Sequence, residues 1–475
     1  MSMPHQFQQR VIIIGGGASG VFLACHLLRD RATSLHVTII EKRPQVGRGI
    51  AYATANPEHL LNVRAANMSA FPDDPDHFWR WLAVRRNRPN SGAAIPNCGD
   101  PFCFAPRQIY GDYIAELVEP LLAGDERGPG LHIIQGECVS VSETQSGVAV
   151  ALANGELHTA DMAVLATGHE PPAPCRSYQA DPWTSPAEAG IAQDDRVLII
   201  GTGLTMVDYV LALILSGHRG PIVAMSRRGL LPRAHRPIES FPIEERDVPF
   251  GAGLTDLLRW VRICVRSHTA RGGDWRSVID GLRPFNQRIW QGLSIDNRRR
   301  FQNHARAWWD VHRHRMAPEV EIRLNAIMAS GQLHVVGAKL LAVEAGLSGA
   351  SVNYRRRGES TVEALHFDKI VECRGVAPVS PNTGNPALRT VLEKGHARLD
   401  PLCIGLDVTP DCSLIDRRGI ASKRLYAVGP LTRAEFWEIV AVPDIRTQCA
   451  RLAAHLTDRL STSAEPQPGL SQANG

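Results

Sequence analysis

Short unbroken apolar runs punctuate the chain, and two of them behave alike. Val-Ile-Ile-Ile at 11–14 and Val-Leu-Ile-Ile at 197–200 each run into glycines and then into an apolar segment. That pattern predicts a strand buried on both faces, a tight turn and a helix. The two openings read Arg10-Val-Ile-Ile-Ile-Gly-Gly-Gly-Ala-Ser-Gly20 and Arg196-Val-Leu-Ile-Ile-Gly-Thr-Gly-Leu-Thr-Met206. Their closings also correspond. Leu131-His-Ile-Ile-Gln-Gly136 leads through alternating strands to Asp161-Met-Ala-Val-Leu-Ala-Thr-Gly168, and Leu333-His-Val-Val-Gly337 leads to Asp368-Lys-Ile-Val-Glu-Cys-Arg-Gly375. Four landmarks recurring in order predict an α/β fold with two Rossmann-like nucleotide-binding domains. The second unit carries an insertion over 254–318 that reads as helical. In it Phe301, Ala305, Trp308, Trp309, His312 and Met316 fall on one face of a helix. The segment 461–475, rich in Ser, Pro, Gln and Gly, is expected to be a disordered tail.

Composition narrows the field by exclusion. The chain has 475 residues, 44% hydrophobic and 21% charged, which suits two or three globular domains and not a disordered chain. A formal charge of +4 is too thinly spread to argue for nucleic acid or an anionic membrane as partner. No run approaches the roughly 20 apolar residues of a membrane span. The ten cysteines show no Cys-x-x-Cys spacing, so no zinc ribbon or thioredoxin-like centre is expected. The chain reads as cytoplasmic with reduced thiols, and without a cysteine pair disulfide reduction is excluded.

The candidate chemistry lies in the two turns. Gly15 permits a tight turn, Gly17 lets backbone approach a pyrophosphate, and Gly20 lets the helix pack on the strand, with Ser19 inside the turn. The next strand, His36 to Glu41, ends in an acid able to accept from both ribose hydroxyls, followed by Lys42. This turn predicts the ADP half of FAD. In the second turn Gly201 and Gly203 are followed by Met206 where a third glycine would stand, which predicts looser helix packing. Its next strand ends in Arg227 and Arg228, guanidinium groups that can fork onto a 2′-phosphate, so NADPH is expected over NADH.

The order of first turn, Ala166-Thr167-Gly168, second turn and Leu425-Tyr-Ala-Val-Gly429 is similar to two-dinucleotide-binding-domain flavoproteins. Gly47-Arg-Gly-Ile-Ala-Tyr52, His59-Leu-Leu-Asn-Val63, Trp308-Trp-Asp-Val-His-Arg-His-Arg-Met316 and Trp437-Glu-Ile-Val-Ala-Val-Pro-Asp-Ile-Arg446 resemble the bacterial FAD/NAD(P)-binding protein family. The resemblance covers roughly residues 8 to 460 and implies an FAD domain in two pieces, 1–190 and 337–460, around an NADPH domain at 191–336. Asn62, Met68, Phe71 and Asp73 look like a stretch of flavin-containing (class B) monooxygenases, with the Asn–Met spacing off by one. There the asparagine lies beside the flavin and helps hold oxygen at the reduced ring, so the resemblance makes Asn62 the catalytic candidate. It also places Arg48, Gly49, Met68, Arg107, Val139, Thr167, Gly168, Gly429 and Pro430 around the cofactor. Pro430 stands where related reductases carry an Asp, which leaves the pyrophosphate to backbone amides or to Arg48 or Arg107.

No metal site is expected, since His312 and His314, two apart on a helix, do not face one another, and His312 reads as a hydrogen-bonded core residue. Ser19 lacks the spacing of a hydrolase nucleophile. The expected activity is an NADPH-dependent flavin monooxygenase using O2 on a small nucleophile, an amine or amino acid. The alternatives are an NAD(P)H-dependent reductase or oxidase passing electrons to a partner or to O2, and a non-catalytic redox-sensing flavoprotein. The sequence leaves monomer and homodimer open.

Overall fold

The computed structural model describes residues 9–29, 34–86, 98–123, 128–169, 176–346, 348–375 and 379–464. The first apolar run is β1 (Gln9–Ile14), followed by the glycine turn, α1 (Ala18–Leu27) and β2 (Leu35–Glu41). An excursion carrying α2 (His77–Arg86) and α3 (Arg107–Glu116) returns as β3 (Gly130–Gln135). A three-stranded antiparallel sheet of β4 (Cys138–Glu143), β5 (Val148–Leu152) and β6 (Leu157–Ala160) precedes β7 (Met162–Leu165).

The second unit repeats this plan. After β8 (Gln179–Ala180) come β9 (Val197–Ile200), α4 (Leu204–Leu215) and β10 (Ile222–Ser226). The insertion is helical as expected, with α5 (Leu254–Thr269), α6 (Trp275–Gly281), α7 (Asn286–Gly292), α8 (Ile295–Arg300) and α9 (Arg306–Arg313). Then α10 (Pro318–Ala329) leads into β11 (Leu333–Ala345), β12 (Ala350–Arg356), β13 (Val362–Phe367) and β14 (Lys369–Glu372). The chain closes with α11 (Pro386–Glu393), β15 (Ser413–Ile415), β16 (Ala421–Ala427) and α12 (Val442–Ala464).

Two sheets result, ordered β15-β16-β7-β1-β2-β3 and β13-β12-β11-β10-β9-β14-β8. β1, β7 and β9 are buried along their apolar runs because helices and loops cover both faces. In the first sheet the chain steps from β1 to β2 and β3 on one side and places β7 and β16 on the other. In the second it steps from β9 to β10 and β11 and places β14 opposite. A crevice therefore opens at the carboxyl ends of β1/β7 and of β9/β14, where the strand order reverses. Both glycine turns sit at these points.

Four expectations need correction. A boundary at 336/337 cuts through β11, and β12 to β14 also belong to the second sheet, so that domain runs to about residue 375. β8, expected in the first piece, pairs with β14. The predicted apolar helix face does not hold together, because 301–305 form a π-turn that rotates the face and the helix stops at Arg313. Met316 lies beyond it in a bridge with Ala234, Trp308 is 44% exposed, and His312 is half-buried with Nδ1 donating to the Trp308 carbonyl at 2.7 Å. At the C-terminus, helix continues through Ala464, and 465–475 lie outside the described residues.

The insertion is docked onto the returning part of the first domain. Trp290 stacks on Trp437 with centroids 4.5 Å apart, Phe301 meets the edge of Trp437, and the Trp290 indole donates to the Ala434 carbonyl at 2.8 Å. Truncating Trp290 would remove about 3–5 kcal/mol of packing. Among the described residues no helix is long and apolar enough to cross a membrane.

Candidate cofactor and active site

The glycines of the two turns divide by what constrains them. Gly15 (φ +109°) and Gly201 (φ +116°) are left-handed, and a Cβ there would lie 2.5 Å from the Ala166 carbonyl oxygen and 2.1 Å from that of Cys373. A Cβ on Gly20 would lie 2.0 Å from the Gly15 oxygen. Protein packing accounts for all three. Gly17 and Gly203 are different: both are extended, and a Cβ would meet only Gly49 Cα at 3.6 Å in the first case and nothing within 4 Å in the second. Neither backbone strain nor contact with a described residue accounts for glycine there, which leaves the backbone at both positions open to the approach of another molecule.

Gly17 and Gly203 are also the N-caps of α1 and α4, and neither helix has a side-chain cap or an acid in its first turn. Bare amides at a helix N-terminus favour an anion. The residues present thus fit a dinucleotide pyrophosphate at each turn.

Around the first turn, Glu41 accepts from the Gly16 amide at 2.7 Å and the Arg43 amide at 2.9 Å, which fixes the carboxylate at the end of β2 with lone pairs to spare. Lys42 reaches Glu137 at 3.4 Å. Ser19 packs against Gly429 (φ +74°), whose amide donates to Gln448 at 2.8 Å, so the α1 turn and the Gly429-Pro430 turn touch. Thr167 and Gly168 follow β7 beside Gly15, and a Cβ on Gly168 would meet nothing within 4 Å. Val139, at a β4 bulge, accepts from the Thr390 hydroxyl at 2.8 Å.

Both arginines considered for the pyrophosphate are committed elsewhere. Arg48 pairs with Asp112, which Arg85 also grips, and Arg107 pairs with Asp208 on α4 at 2.6 Å across the domain boundary. At the second turn Arg227 is exposed and unpaired among the described residues, whereas Arg228 donates to the His304 carbonyl at 3.1 Å and lies over Trp308. Met206 is fully buried.

Of the Asn62, Met68, Phe71, Asp73 stretch, only Asn62 stands at the join of the two domains. Met68 is buried with its carbonyl accepting from Tyr110, Phe71 packs on His26 and His77, and Asp73 forms a surface pair with Arg29. The Asn62 amide has no partner among the described residues, while its carbonyl lies 3.1 Å from His235 Nε2. A carbonyl only accepts, so Nε2 carries the hydrogen. Burial, helped by the Arg315 charge, pushes the His235 pKa down to about 3, and the ring is neutral. Burial likewise takes His169, beside Gly168, down to about 4.

Two features escaped the sequence. Cys98 and Cys103 form a disulfide, contrary to the expectation of reduced thiols and no cysteine pair. A turn at Asp100–Phe102 brings their Cα atoms within 4.9 Å, and a Cys-x4-Cys spacing carries no motif. The Cys103 carbonyl accepts the Ala65 amide, which ties the disulfide to the Asn62 segment. The second is Glu438, buried and left-handed (φ +68°), which accepts from Asn286 at 2.9 Å, Trp309 at 2.5 Å and Arg313 at 3.0 Å. Burial raises its pKa, but Arg313 and the other donors outweigh that and hold the carboxyl below its ordinary range. Three donors from the insertion over-determine a backbone conformation that few non-glycine residues adopt. Only a rigid neighbourhood sustains that.

Residues 12–170 match a family described as FAD-NAD(P)-binding. No curated protein matches the sequence. Among solved structures, the ornithine N-hydroxylase of Kutzneria sp. 744 superposes with TM-score 0.66 at 15% identity, covering 95% of this chain and all of that one. The cadaverine monooxygenase of Erwinia amylovora gives 0.60 at 14% identity over 98% of both chains. The thioredoxin reductase of Lactococcus lactis gives 0.52 at 12% identity, covering 96% of this chain and all of that one. Residues 12–170 are thus an FAD-NAD(P)-binding domain, in a chain with the two-dinucleotide-domain fold that these flavoproteins share.

Proposed function

We propose that the protein is an FAD-dependent, NADPH-using monooxygenase that oxygenates a small nucleophile of the amine class. The observation that carries the reading is the pair of uncapped helix N-termini at Gly17 and Gly203, where no described residue crowds the backbone. The amine class is supported by neighbours of that chemistry, which superpose at 0.60 to 0.66 against 0.52 for the thioredoxin reductase.

Bound FAD supplies hydride acceptance and oxygen activation. The chain binds and orients. Amides of α1 hold the FAD pyrophosphate and those of α4 the nicotinamide one, Glu41 accepts from ribose hydroxyls, and Arg227 takes the 2′-phosphate. Asn62 presents a free amide at the domain join, a preorganised donor for a developing negative charge. His235 holds that segment from the second domain without adding a charge.

The test uses FAD-loaded protein, NADPH and a panel of ornithine, lysine and cadaverine. Oxygen uptake, hydrogen peroxide and hydroxylamine product are measured together. The expected result is that one amine raises oxygen uptake and yields hydroxylamine with little peroxide. NADPH oxidation that ends in peroxide whatever the amine contradicts it. A reductase is the second reading, and the Cys98–Cys103 pair favours it, although both sulfurs are buried.

A further inference from the structure

Trp308 and Trp309 are adjacent on α9 and point to different places. Trp309 turns inward and donates its indole N–H to the buried Glu438 carboxylate at 2.5 Å. Trp308 turns outward and is 44% exposed. The π-turn at 301–305, just before the pair, sets this outcome by rotating the face that constant helical winding would have buried. Single π-turns inside helices occur often at functional sites.

The outward indole meets the end of β10. The Arg228 guanidinium lies over the Trp308 ring, 5.8 Å from its centroid, and Nη2 donates to the His304 carbonyl within the π-turn at 3.1 Å. The contacts run on to the second glycine turn. Thr202, between Gly201 and Gly203, donates to the Leu230 carbonyl at 2.6 Å and shares a 2.9 Å hydrogen bond with the Ser226 hydroxyl. Ser226 also accepts from the Gly229 amide at 3.0 Å, so Arg227 and Arg228 sit in a closed turn beside Thr202. Trp308 is fixed against this turn from its own side as well, because the Val311 carbonyl accepts from the Arg233 amide at 2.9 Å.

We propose that Trp308, carried by the helical insertion, is the surface on which the adenine of NADPH stacks. In a strand-turn-helix-strand unit the end of the second strand meets the adenosine ribose, and that strand is β10. A purine stacks on an aromatic ring or a guanidinium plane whatever its hydrogen-bonding groups do. Arg228 is held by the His304 carbonyl and steadies the indole, and Arg227 stays free for the 2′-phosphate. The adenine contact is common to NADPH and NADH, so Trp308 supplies affinity and Arg227 supplies the choice between them. This inference rests on the NADPH part of the proposed function.

FAD-loaded protein is titrated calorimetrically with 2′,5′-ADP, and KM is measured for NADPH and for NADH. Trp308→Leu should weaken 2′,5′-ADP by about five- to a hundredfold, the range for a base stacked on an aromatic side chain. It should raise both KM values by the same factor, whereas Arg227→Ala raises that of NADPH alone. Trp308→Phe keeps a ring and should recover most of the affinity. Tryptophan emission carries the test if Trp308→Leu does not fold: 2′,5′-ADP should quench it in the wild type and quench it less in Trp308→Phe. Unchanged affinity in Trp308→Leu, or equal quenching in Trp308→Phe and wild type, overturns the inference alone. A rise in KM confined to NADPH would assign Trp308 to the phosphate and overturn it too. A wild type that binds no 2′,5′-ADP removes both the inference and the proposed use of NADPH.

Discussion

At the turn after β1, Glu41 holds the Gly16 amide, the Gly47 amide donates to the Gly16 carbonyl, and Gly49 stands against Gly17. At the turn after β9, Gly203 has no neighbour among the described residues within 4 Å of a would-be Cβ, and the following strand ends in exposed Arg227. The strand-turn-helix backbone is the same; the cover is not. A covered cradle suits a dinucleotide that stays, and an open one suits a dinucleotide that enters and leaves with each cycle. The two copies of one architecture differ in what surrounds the turn and in its third position, Gly20 in the first and Met206 in the second.

The strongest way to break this comparison is at the third position. Gly20→Ala puts a Cβ 2.0 Å from a backbone oxygen and should cost more than about 3 kcal/mol, the upper range for overpacking, with loss of soluble yellow protein. Met206→Ala, at the equivalent place, empties a filled core site instead and should cost about 2–5 kcal/mol. Thermal midpoints separate the two, and a Gly20→Ala protein as stable as wild type would refute the tight packing. Gly17→Val and Gly203→Val then test the cradles. The first should fold without FAD, and the second should keep FAD yet resist bleaching by NADPH under anaerobic conditions. Reversed outcomes would exchange the two assignments.

Asn62→Ala probes where the domains meet. It should leave FAD content and the rate of flavin reduction near wild type and release peroxide with little product, since losing a preorganised donor typically costs about 100–1000-fold. A smaller effect is expected at the open cradle. Arg227→Ala should raise KM for NADPH by about ten- to a hundredfold and leave NADH nearly unchanged. Arg228→Ala should do less, because that guanidinium already serves the His304 carbonyl and Trp308. Equal effects on both coenzymes would remove the 2′-phosphate contact.

The smallest effect is on pH. His235 and His169 bind protons in the native state only near pH 3 and 4, whereas the unfolded chain binds them below about 6.5. The unfolded state therefore holds more protons in that window, and stability falls as pH drops from about 6.5 toward 4. His235→Gln should flatten the fall in thermal midpoint. An unchanged slope would mean that the ring is not buried neutral.

Legibility in the sequence was local. The apolar runs, the glycine spacing and the acid at Glu41 report on neighbours along the chain, and so the two sheets and both turns were legible. The boundary near residue 337 was misplaced because β11 runs without a break from parallel pairing with β10 into antiparallel pairing with β12. The π-turn at 301–305 was hidden because a helical period assumes constant winding. Arg48 and Arg107 looked free because their partners, Asp112 and Asp208, lie 64 and 101 residues away.

Oxygenase and reductase part company at the moment the reduced protein meets oxygen. Protein reduced anaerobically with one equivalent of NADPH is mixed with aerated buffer in a stopped-flow spectrophotometer. A monooxygenase should show a transient absorbing at about 370–390 nm before oxidised flavin returns, the signature of oxygen held at a cofactor that carries the chemistry. In Asn62→Ala that transient should be shorter-lived. A single-step return to oxidised flavin in the wild type would contradict the monooxygenase reading.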